Sequence, residues 1–574
     1  MKTRISLLLT VLSFSVLAQT PAFDKNAELG RGINLGNMFE APSEEAWGNP
    51  FKDQYMLTIA SMGFDHVRIP IRWETEERSL AHSPYTIDDA FLQRIQHVVD
   101  LALKNKMHAI INMHHHEALF ENPEEEKPRF LAMWEQLSTH FADYPDSLIF
   151  ELLNEPHNNL TAEKWNVFLA EALQTVRRTN PNRFILVGTA EYGGLGGLSK
   201  LQVPNDDRLI LTLHYYNPFS FTHQGAEWVG PEADQWLGTE WHDTETERQK
   251  VQADFEAAIQ FSTINNIPVH VGEFGAYNRA DMASRVRWTT YLARYFESQN
   301  FSWAYWEFSA GFGIFRPATL TFRHELVDAL LKNELPEPTP VNRKELFKTE
   351  FNQNGDLEGW KLYNNSGASS TGLVSQGELS LEITNGGTEN WHIQLVLSDL
   401  ALEKGKTYEV QYKAKASDGR PVSIYTGMNQ EPWTSYSGNS TFNMTAELQT
   451  YSFSFQMQND TDSKARLVFD LGDSSTNFVL DEIGLYEISH GTDSSALKKK
   501  KSYFYPNPTN GILNFTKADS AGRTSIYNYS GQLVMQKIIS TDLQIDLNEL
   551  PHGRYLIRWP HQGTVLSGKL IKSN

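Results

Sequence analysis

The sequence contains no cysteine, which excludes disulfide frameworks, cysteine–zinc sites, iron–sulfur clusters and thiol catalysis. Basic charge is scarce: 50 Lys and Arg face 70 Asp and Glu, a formal net charge of −20. The chain therefore lacks the basic field that phosphate binding needs, which argues against nucleic acid and against anionic membrane surfaces. Past the N-terminus no stretch approaches the ~20 apolar residues that span a bilayer. There is no GxGxxG turn, no HExxH and no solenoid period. What is present is aromatic: 12% Phe, Trp and Tyr, with 14 Trp, inside a 40% hydrophobic composition. At ~100–200 residues per domain, the length predicts about three to five domains.

Lys2 and Arg4 precede an apolar run from Ile5 to Leu17, and Ala18 offers a small-residue cleavage site before Gln19. Basic, apolar, small is the order of a secretory signal, so residues 1–18 are read as a signal peptide. Residues 25–334 alternate short apolar runs with amphipathic segments. The runs are Gly32–Leu35, His66–Ile71, His108–Met113, Leu148–Leu153, Phe184–Val187, Leu209–Tyr215, Pro268–Gly272 and Phe301–Tyr305. Helical patterns fall over Asp88–Asn105, Lys127–Tyr144, Ala162–Thr179, Thr246–Asn265 and Met282–Gln299. Eight strands alternating with helices predict a (β/α)8 TIM barrel. Pro336, Pro338 and Pro340 mark a stiff linker over 335–344. From 345 to 487, Ser, Thr, Gly and Asn surround short alternating runs, which predict a β-sandwich. A second linker, 488–502, carries the Lys498–Lys501 run, read as a solvated charge cluster. Residues 503–574 predict a small C-terminal all-β sandwich, with turns at Asn507–Gly511 and Ser530–Gly531.

A TIM barrel carries its active site at the carboxyl ends of its strands. Strand four ends in Asn154-Glu155-Pro156 and strand seven in Glu273-Phe274-Gly275. Two carboxylates facing each other across a barrel mouth are what glycoside hydrolysis needs. His114, His115 and His116 are consecutive. Neighbouring strand residues point to opposite faces, so the three cannot converge on one ion, and no metal site is assigned.

Ordered segments now become specific. They are Arg31-Gly32-Ile33-Asn34-Leu35-Gly36-Asn37, His66-Val67-Arg68-Ile69-Pro70, Asn112-Met113-His114-His115, Leu153-Asn154-Glu155-Pro156, His214-Tyr215-Tyr216-Asn217-Pro218, Gly272-Glu273-Phe274-Gly275 and Trp303-Ala304-Tyr305-Trp306-Glu307-Phe308. In this order they resemble family 5 glycoside hydrolases, closest to compact bacterial endoglucanases that also cleave mannan.

The resemblance implies a retaining endo-β-1,4-glycanase with two Glu, water and no cofactor. Glu155 is then the acid/base, with a pKa raised by its surroundings. Glu273 is the nucleophile, kept ionised by Arg68 and hydrogen-bonded by Tyr216. Asn154 binds the sugar 2-hydroxyl, and His214, sharing a strand face with Tyr216, contacts Glu155 or the sugar. His115 rather than His114 is favoured beside the catalytic pair, with His114 a substrate contact. Trp306 offers an indole platform for a pyranose. Asn37, Glu40, His223, Trp228 and Glu307 match further substrate contacts. The substrate implied is β-glucan, with mannan or glucomannan as a second. A dedicated mannanase or xyloglucanase, or a noncatalytic glycan-binding surface protein, are the rival readings.

The middle segment is similar to carbohydrate-binding sandwiches, with Trp391, Trp433 and Tyr436 as candidate stacking residues. Nothing in its acidic residues compels a calcium site. The tail, with Tyr503-Phe504-Tyr505-Pro506-Asn507-Pro508 and Leu550-Pro551-His552-Gly553-Arg554-Tyr555, resembles the type IX secretion sorting domain. That implies signal-peptide export, transfer by the type IX machinery, and a secreted or cell-surface protein, expected to be a monomer.

Overall fold

The computed structural model describes residues 19–490, 504–505, 509, 511–515, 522–528, 533–561 and 564–572. The signal-peptide reading, the Lys498–Lys501 run and the Ser530–Gly531 turn lie outside the described residues. The chain divides into two compact units between Val341 and Asn342.

The first unit is a closed eight-stranded parallel barrel. Its strands are β1 Arg31–Asn34, β2 His66–Ile69, β3 His108–Asn112, β4 Leu148–Glu151, β5 Ile185–Gly188, β6 Leu209–His214, β7 Val269–Phe274 and β8 Ser302–Tyr305. The parallel β1–β8 pairing, with Gly32 opposite Ala304, closes the ring. Strands β2 and β4 to β8 are buried throughout, which is why β5, β6 and β8 read as largely apolar runs rather than alternating ones, whereas β2 and β7 interleave His66, Arg68, His270 and Glu273.

The barrel begins before residue 25. A helix over Pro21–Leu29 packs Ala22 and Leu29 onto Ile110, Ile149, Leu186 and Ile210. Its Asn26 amide donates to the Val269 carbonyl at 3.0 Å. This helix plugs the end of the barrel opposite the site. Above the plug, the His66 ring fills the space that a side chain on residue 32 would need: a Cβ on Gly32 would lie 2.1 Å from it. Burial lowers the His66 pKa to about 3, so the ring sits neutral, bonded through Nδ1 to the Leu29 carbonyl at 2.6 Å.

The helices wrap this core with ordinary end signals. The helix over Asp89–Lys104 is capped by Asp88, which accepts from the Phe91 amide. The helix over Glu245–Asn265 starts in a capping box between Thr244 and Glu247. One helix starts earlier than its periodicity predicts: it spans Pro123–His140 rather than beginning at Lys127. Pro123 opens it and Glu124, Glu125 and Glu126 occupy the first turn, a polar start favoured by the helix dipole yet invisible to an apolar pattern.

The Pro-rich segment is tied to the barrel. Arg248 grips Asp243 with two hydrogen bonds of 2.6 and 2.7 Å and donates to the Pro336 carbonyl at 2.8 Å. The Thr339 amide donates to the Asp243 carbonyl. Only part of 335–344 is linker, because a strand over Val341–Thr349 already belongs to the sandwich.

In the second unit, two antiparallel sheets enclose a core that includes Leu381, Leu395, Tyr412, Leu467, Phe469 and Leu480. The last sandwich strand, Phe478–His490, runs past the expected boundary at 487 into the segment read as the second linker. The C-terminal region is all β, a three-stranded and a four-stranded sheet, with Phe504, Leu513, Ile526, Ile557 and Trp559 in its core.

Candidate active site

Arg68 organises the site. It points from β2 into the barrel mouth and is fully buried. A buried guanidinium needs its donors satisfied, and four side chains do this. Nε and Nη2 bond to the two carboxylate oxygens of Glu151 at 2.6 and 2.7 Å. Nη1 bonds to Asn34 at 2.9 Å and to Glu273 Oε1 at 2.7 Å. Nη2 also reaches Asn154 Oδ1 at 2.8 Å. Fixing Oδ1 turns the Asn154 amide nitrogen away from the guanidinium.

Glu273 lies at a register shift between β6 and β7, opposite His214. Such irregularities re-aim a side chain at a barrel rim. Its Oε2 accepts from the Tyr216 hydroxyl at 2.9 Å. Glu155 follows β4 with a positive φ of 46°, a conformation disfavoured for a residue with a Cβ and often found at functional positions. Its Oε1 lies 2.6 Å from His214 Nδ1, while His214 Nε2 lies 3.7 Å from Glu273 Oε1. Glu155, His214 and Glu273 each present an atom within 4.8 Å of the others. Three such donors could also hold a cation. Here the Glu273 oxygen nearest His214 already accepts from the Arg68 cation.

Burial pushes the Glu155 carboxyl up, but the hydrogen bond and charge of His214 outweigh it and hold it below its ordinary value. Burial raises Glu273, helped by the neighbouring Glu155 and opposed by His214 and Arg68. His214 itself is lifted by the two carboxylates against its own burial. The expected order, Glu155 raised and Glu273 lowered, is therefore reversed. The cause is the imidazolium: it sits in hydrogen-bond contact with Glu155 and farther from Glu273.

The remaining expected residues separate into cleft-lining and buried groups. Trp306 stacks on His114, with centroids 5.6 Å apart and planes at 8°. His114 is buried and feels the charges of Arg68 and His214, while half-buried His115 feels that of Glu155. Both border the pair, so preferring His115 is not supported by their placement. His116, in the loop after β3, is buried, with Nε2 3.2 Å from Glu126. Trp228 is 59% exposed and meets Tyr277 edge-on. His223 is buried, stacked on Phe219 at 4.0 Å, and burial lowers its pKa to about 4.

Glu40 and Glu307 depart from the expectation of sugar contact. Glu40 is buried and accepts from the amides of Asn37 and Met38. Glu307 is buried and accepts from the amides of Ser309, Ala310 and Phe312. These carboxylates hold the rim loops, and Asn37 sits in the first of them with φ of 62°. Sequence reasoning passed over Glu151, a polar residue inside an apolar strand. It also passed over Trp47, 45% exposed and edge-on to His115, and over Tyr192.

In the sandwich, Trp391 and Trp433 are exposed, 45% and 49%. Tyr436 is buried in the core with its hydroxyl on Asp462 at 2.8 Å, so it is not a stacking residue. Val396, Tyr425 and Val468 form a cluster separate from the core, on the opposite face of the strands that carry Leu395, Ile424 and Leu467. Beside it, Arg466 lies 4.5 Å from the Trp433 ring and donates to the Tyr425 hydroxyl at 3.2 Å. Gln394 donates to Asp470 at 2.8 Å.

A parallel barrel with two carboxylates meeting over an arginine at its carboxyl end defines the class: a (β/α)8 barrel of glycoside-hydrolase type. Residues 27–311 match the cellulase (glycosyl hydrolase family 5) model, and the chain belongs to that family. Residues 344–476 match a carbohydrate binding domain and 503–573 a secretion system C-terminal sorting domain. The sorting domain supports secretion and cell-surface localisation. The chain is 46% identical to the crystal structure of endoglucanase Cel5A from Thermotoga maritima, with a TM-score of 0.53, covering 54% of this chain and 99% of that one. It is 31% identical to endoglucanase A of Ruminococcus albus over 54% of this chain and 92% of that protein. It is 34% identical to endoglucanase H of Acetivibrio thermocellus over 54% of this chain, but spans only 33% of that relative's length. Among the described residues, no helix is long and apolar enough to cross a membrane.

Proposed function

We propose that the chain is a secreted, endo-acting, retaining β-1,4-glycanase that acts on β-glucan. The observation that carries this is the approach of Glu155 and Glu273 to within 4.8 Å. Retaining glycosidases hold their carboxyls ~5–5.5 Å apart, and inverting ones ~6.5–9.5 Å. In this reading Glu273, aimed by Arg68 and Tyr216, forms a bond to the anomeric carbon while Glu155 gives its proton to the leaving oxygen. Water then attacks the glycosyl ester, Glu155 takes the water's proton and Glu273 leaves. The Glu155–His214 contact of 2.6 Å serves both halves. With the proton on Oε1, Glu155 is the acid; with it on Nδ1, Glu155 is the base.

Mannan is a second reading, favoured by the similarity to a Thermotoga maritima Cel5A solved in complex with mannotriose, 46% identical with a TM-score of 0.53. A companion structure of the same protein holds cellobiose. The sandwich would hold glycan on the Tyr425 face, with Trp433 as platform and Asp470 and Gln394 as hydrogen-bonding groups. The Glu273→Ala variant and the wild type are compared on carboxymethylcellulose, barley glucan, glucomannan and galactomannan. Loss of viscosity with wild type alone supports the glycanase, and the relative rates decide mannan. A wild type inert on all four removes the reading.

A further inference from the structure

Tyr216 lies two residues past the end of β6, and its hydroxyl donates to Glu273 Oε2 at 2.9 Å. Burial and the charges of Glu273 and Glu155 push that hydroxyl well up, so it stays protonated and remains a donor. Arg68 holds the other oxygen, Oε1, at 2.7 Å. Two donors, one on each oxygen, set the plane of the Glu273 carboxylate, and hydrogen bonds to the charged form favour its ionisation. Arg68 is fixed by its own ring of partners. Tyr216 is fixed through its backbone, by residues that stand outside the catalytic cleft.

That backbone is tied at each step. The Tyr215 amide donates to the carbonyl of Glu273 itself at 2.9 Å. Thr222 Oγ1 donates to the Tyr216 carbonyl at 2.6 Å, and Trp288 Nε1 to the Asn217 carbonyl at 3.1 Å. The last tie is a carboxylate. Asp254 is half-buried on the helix over Glu245–Asn265. Its Oδ2 accepts from the Tyr215 hydroxyl at 2.9 Å and from the Asn217 side-chain amide at 3.1 Å. Tyr215 and Asn217 thus turn outward to the helix while Tyr216 between them turns inward to the nucleophile, the alternation of an extended chain. The Tyr215 ring is buried and packs on Phe255, the next residue of the helix, with centroids 4.8 Å apart. Burial and the Asp254 charge raise the Tyr215 hydroxyl, so this donor also persists. A carboxylate makes stronger bonds to such donors than a neutral acceptor would. One oxygen atom outside the barrel therefore holds the residues on either side of Tyr216.

Resting on the retaining reading above, we propose that Asp254 is a positioning residue for the nucleophile: it brackets Tyr216 from outside the cleft, so that the Tyr216 hydroxyl stays on Glu273 and keeps that carboxylate ionised and in plane. Asp254 touches neither the sugar nor the reacting atoms. Its effect reaches the reaction through Tyr216, which separates it from a general loss of stability.

The test uses the full-length chain and 4-nitrophenyl β-cellobioside across a pH range. The variants are Asp254→Ala, Asp254→Asn, Tyr215→Phe, Tyr216→Phe and the double variant Tyr216→Phe/Asp254→Ala. Asp254→Ala should lower kcat/KM about fivefold or more. It should also move the acid limb of kcat/KM, which follows ionisation of the nucleophile, up by about half a pH unit. Asp254→Asn keeps an acceptor oxygen and should recover most of both. Tyr215→Phe keeps the packed ring, removes one of the two bonds and should give a smaller shift of the same sign; it carries the test if Asp254→Ala does not fold. In the Tyr216→Phe background, Asp254→Ala should add less than about twofold, because the hydroxyl it aims is gone. A full further loss in the double variant overturns the proposal. So does a fall in melting temperature with kcat/KM and its acid limb unmoved. A wild type inert on both the aryl cellobioside and soluble β-glucan overturns the glycanase reading instead.

Discussion

Arg68 gives two donors to Glu151, at 2.6 and 2.7 Å, and one to Glu273, at 2.7 Å. Glu151, which need not touch substrate, thereby fixes the plane of the guanidinium that aims Glu273. A buried cation that loses its main anion costs ~3–5 kcal/mol. Glu151→Gln keeps the shape and removes the charge. It should lower the urea midpoint of the barrel and reduce kcat/KM on soluble β-glucan about tenfold or more. A variant that melts earlier yet turns over normally would show that Arg68 holds Glu273 without Glu151.

Stability should fall on both sides of mildly acidic pH, for separate reasons. Burial raises Glu40 to about 8 and Glu307 to about 7. These folded carboxyls keep protons that the unfolded chain has released, so their contribution is lost as pH rises from about 4.5 through those values. His66 has the opposite sign. Its folded pKa of about 3 means the unfolded chain binds a proton the folded one refuses, so its contribution is lost as pH falls from about 6.5 towards 3. Glu40→Gln should make the decline between about pH 4.5 and 8 shallower in urea titrations, leaving the part due to Glu307 and the acid limb in place. An undiminished alkaline decline in that variant would mean the carboxyl is already charged in the fold.

The elements most legible in the sequence are those that burial writes most strongly. Fully buried β5, β6 and β8 read as largely apolar runs, and Glu155 and Glu273 stand out as acids at strand ends. What stayed hidden depends on packing in three dimensions. The helix over Pro21–Leu29 is only 9 residues long and starts close behind the expected signal cleavage, so no periodicity marks it. Glu40 and Glu307 match substrate contacts by motif, yet backbone amides take their oxygens. Tyr192 lies in a Gly-rich loop with no strand pattern to orient it. Glu151 did leave a signal: its charge interrupts an apolar run two residues after Ile149.

Trp433 should matter for holding insoluble glycan. Arg466 backs its ring at 4.5 Å, and the ring is 49% exposed, so its loss removes contact area without opening the core. Trp433→Ala should weaken retention on insoluble β-glucan about tenfold in a pull-down, whereas Tyr436→Ala should lower the melting temperature instead, because Tyr436 is buried. Equal retention by Trp433→Ala and wild type would move the glycan site off this face.

Glu155 and Glu273 can be told apart by the product each variant makes with azide. Glu155→Ala lacks the proton donor, so cleavage of β-glucan should fall by ~10²–10⁴-fold. A 2,4-dinitrophenyl β-cellobioside, whose leaving group needs no proton, should still load Glu273. Azide can then enter the space that the truncated side chain at position 155 leaves open. It attacks the glycosyl ester from the face the leaving group left, giving β-cellobiosyl azide. Glu273→Ala cannot form the ester. Azide attacks there directly from the nucleophile's side and gives the α-azide. Interchanged products would exchange the two roles, and an α-azide from both variants would contradict retention even though the carboxylates approach to within 4.8 Å.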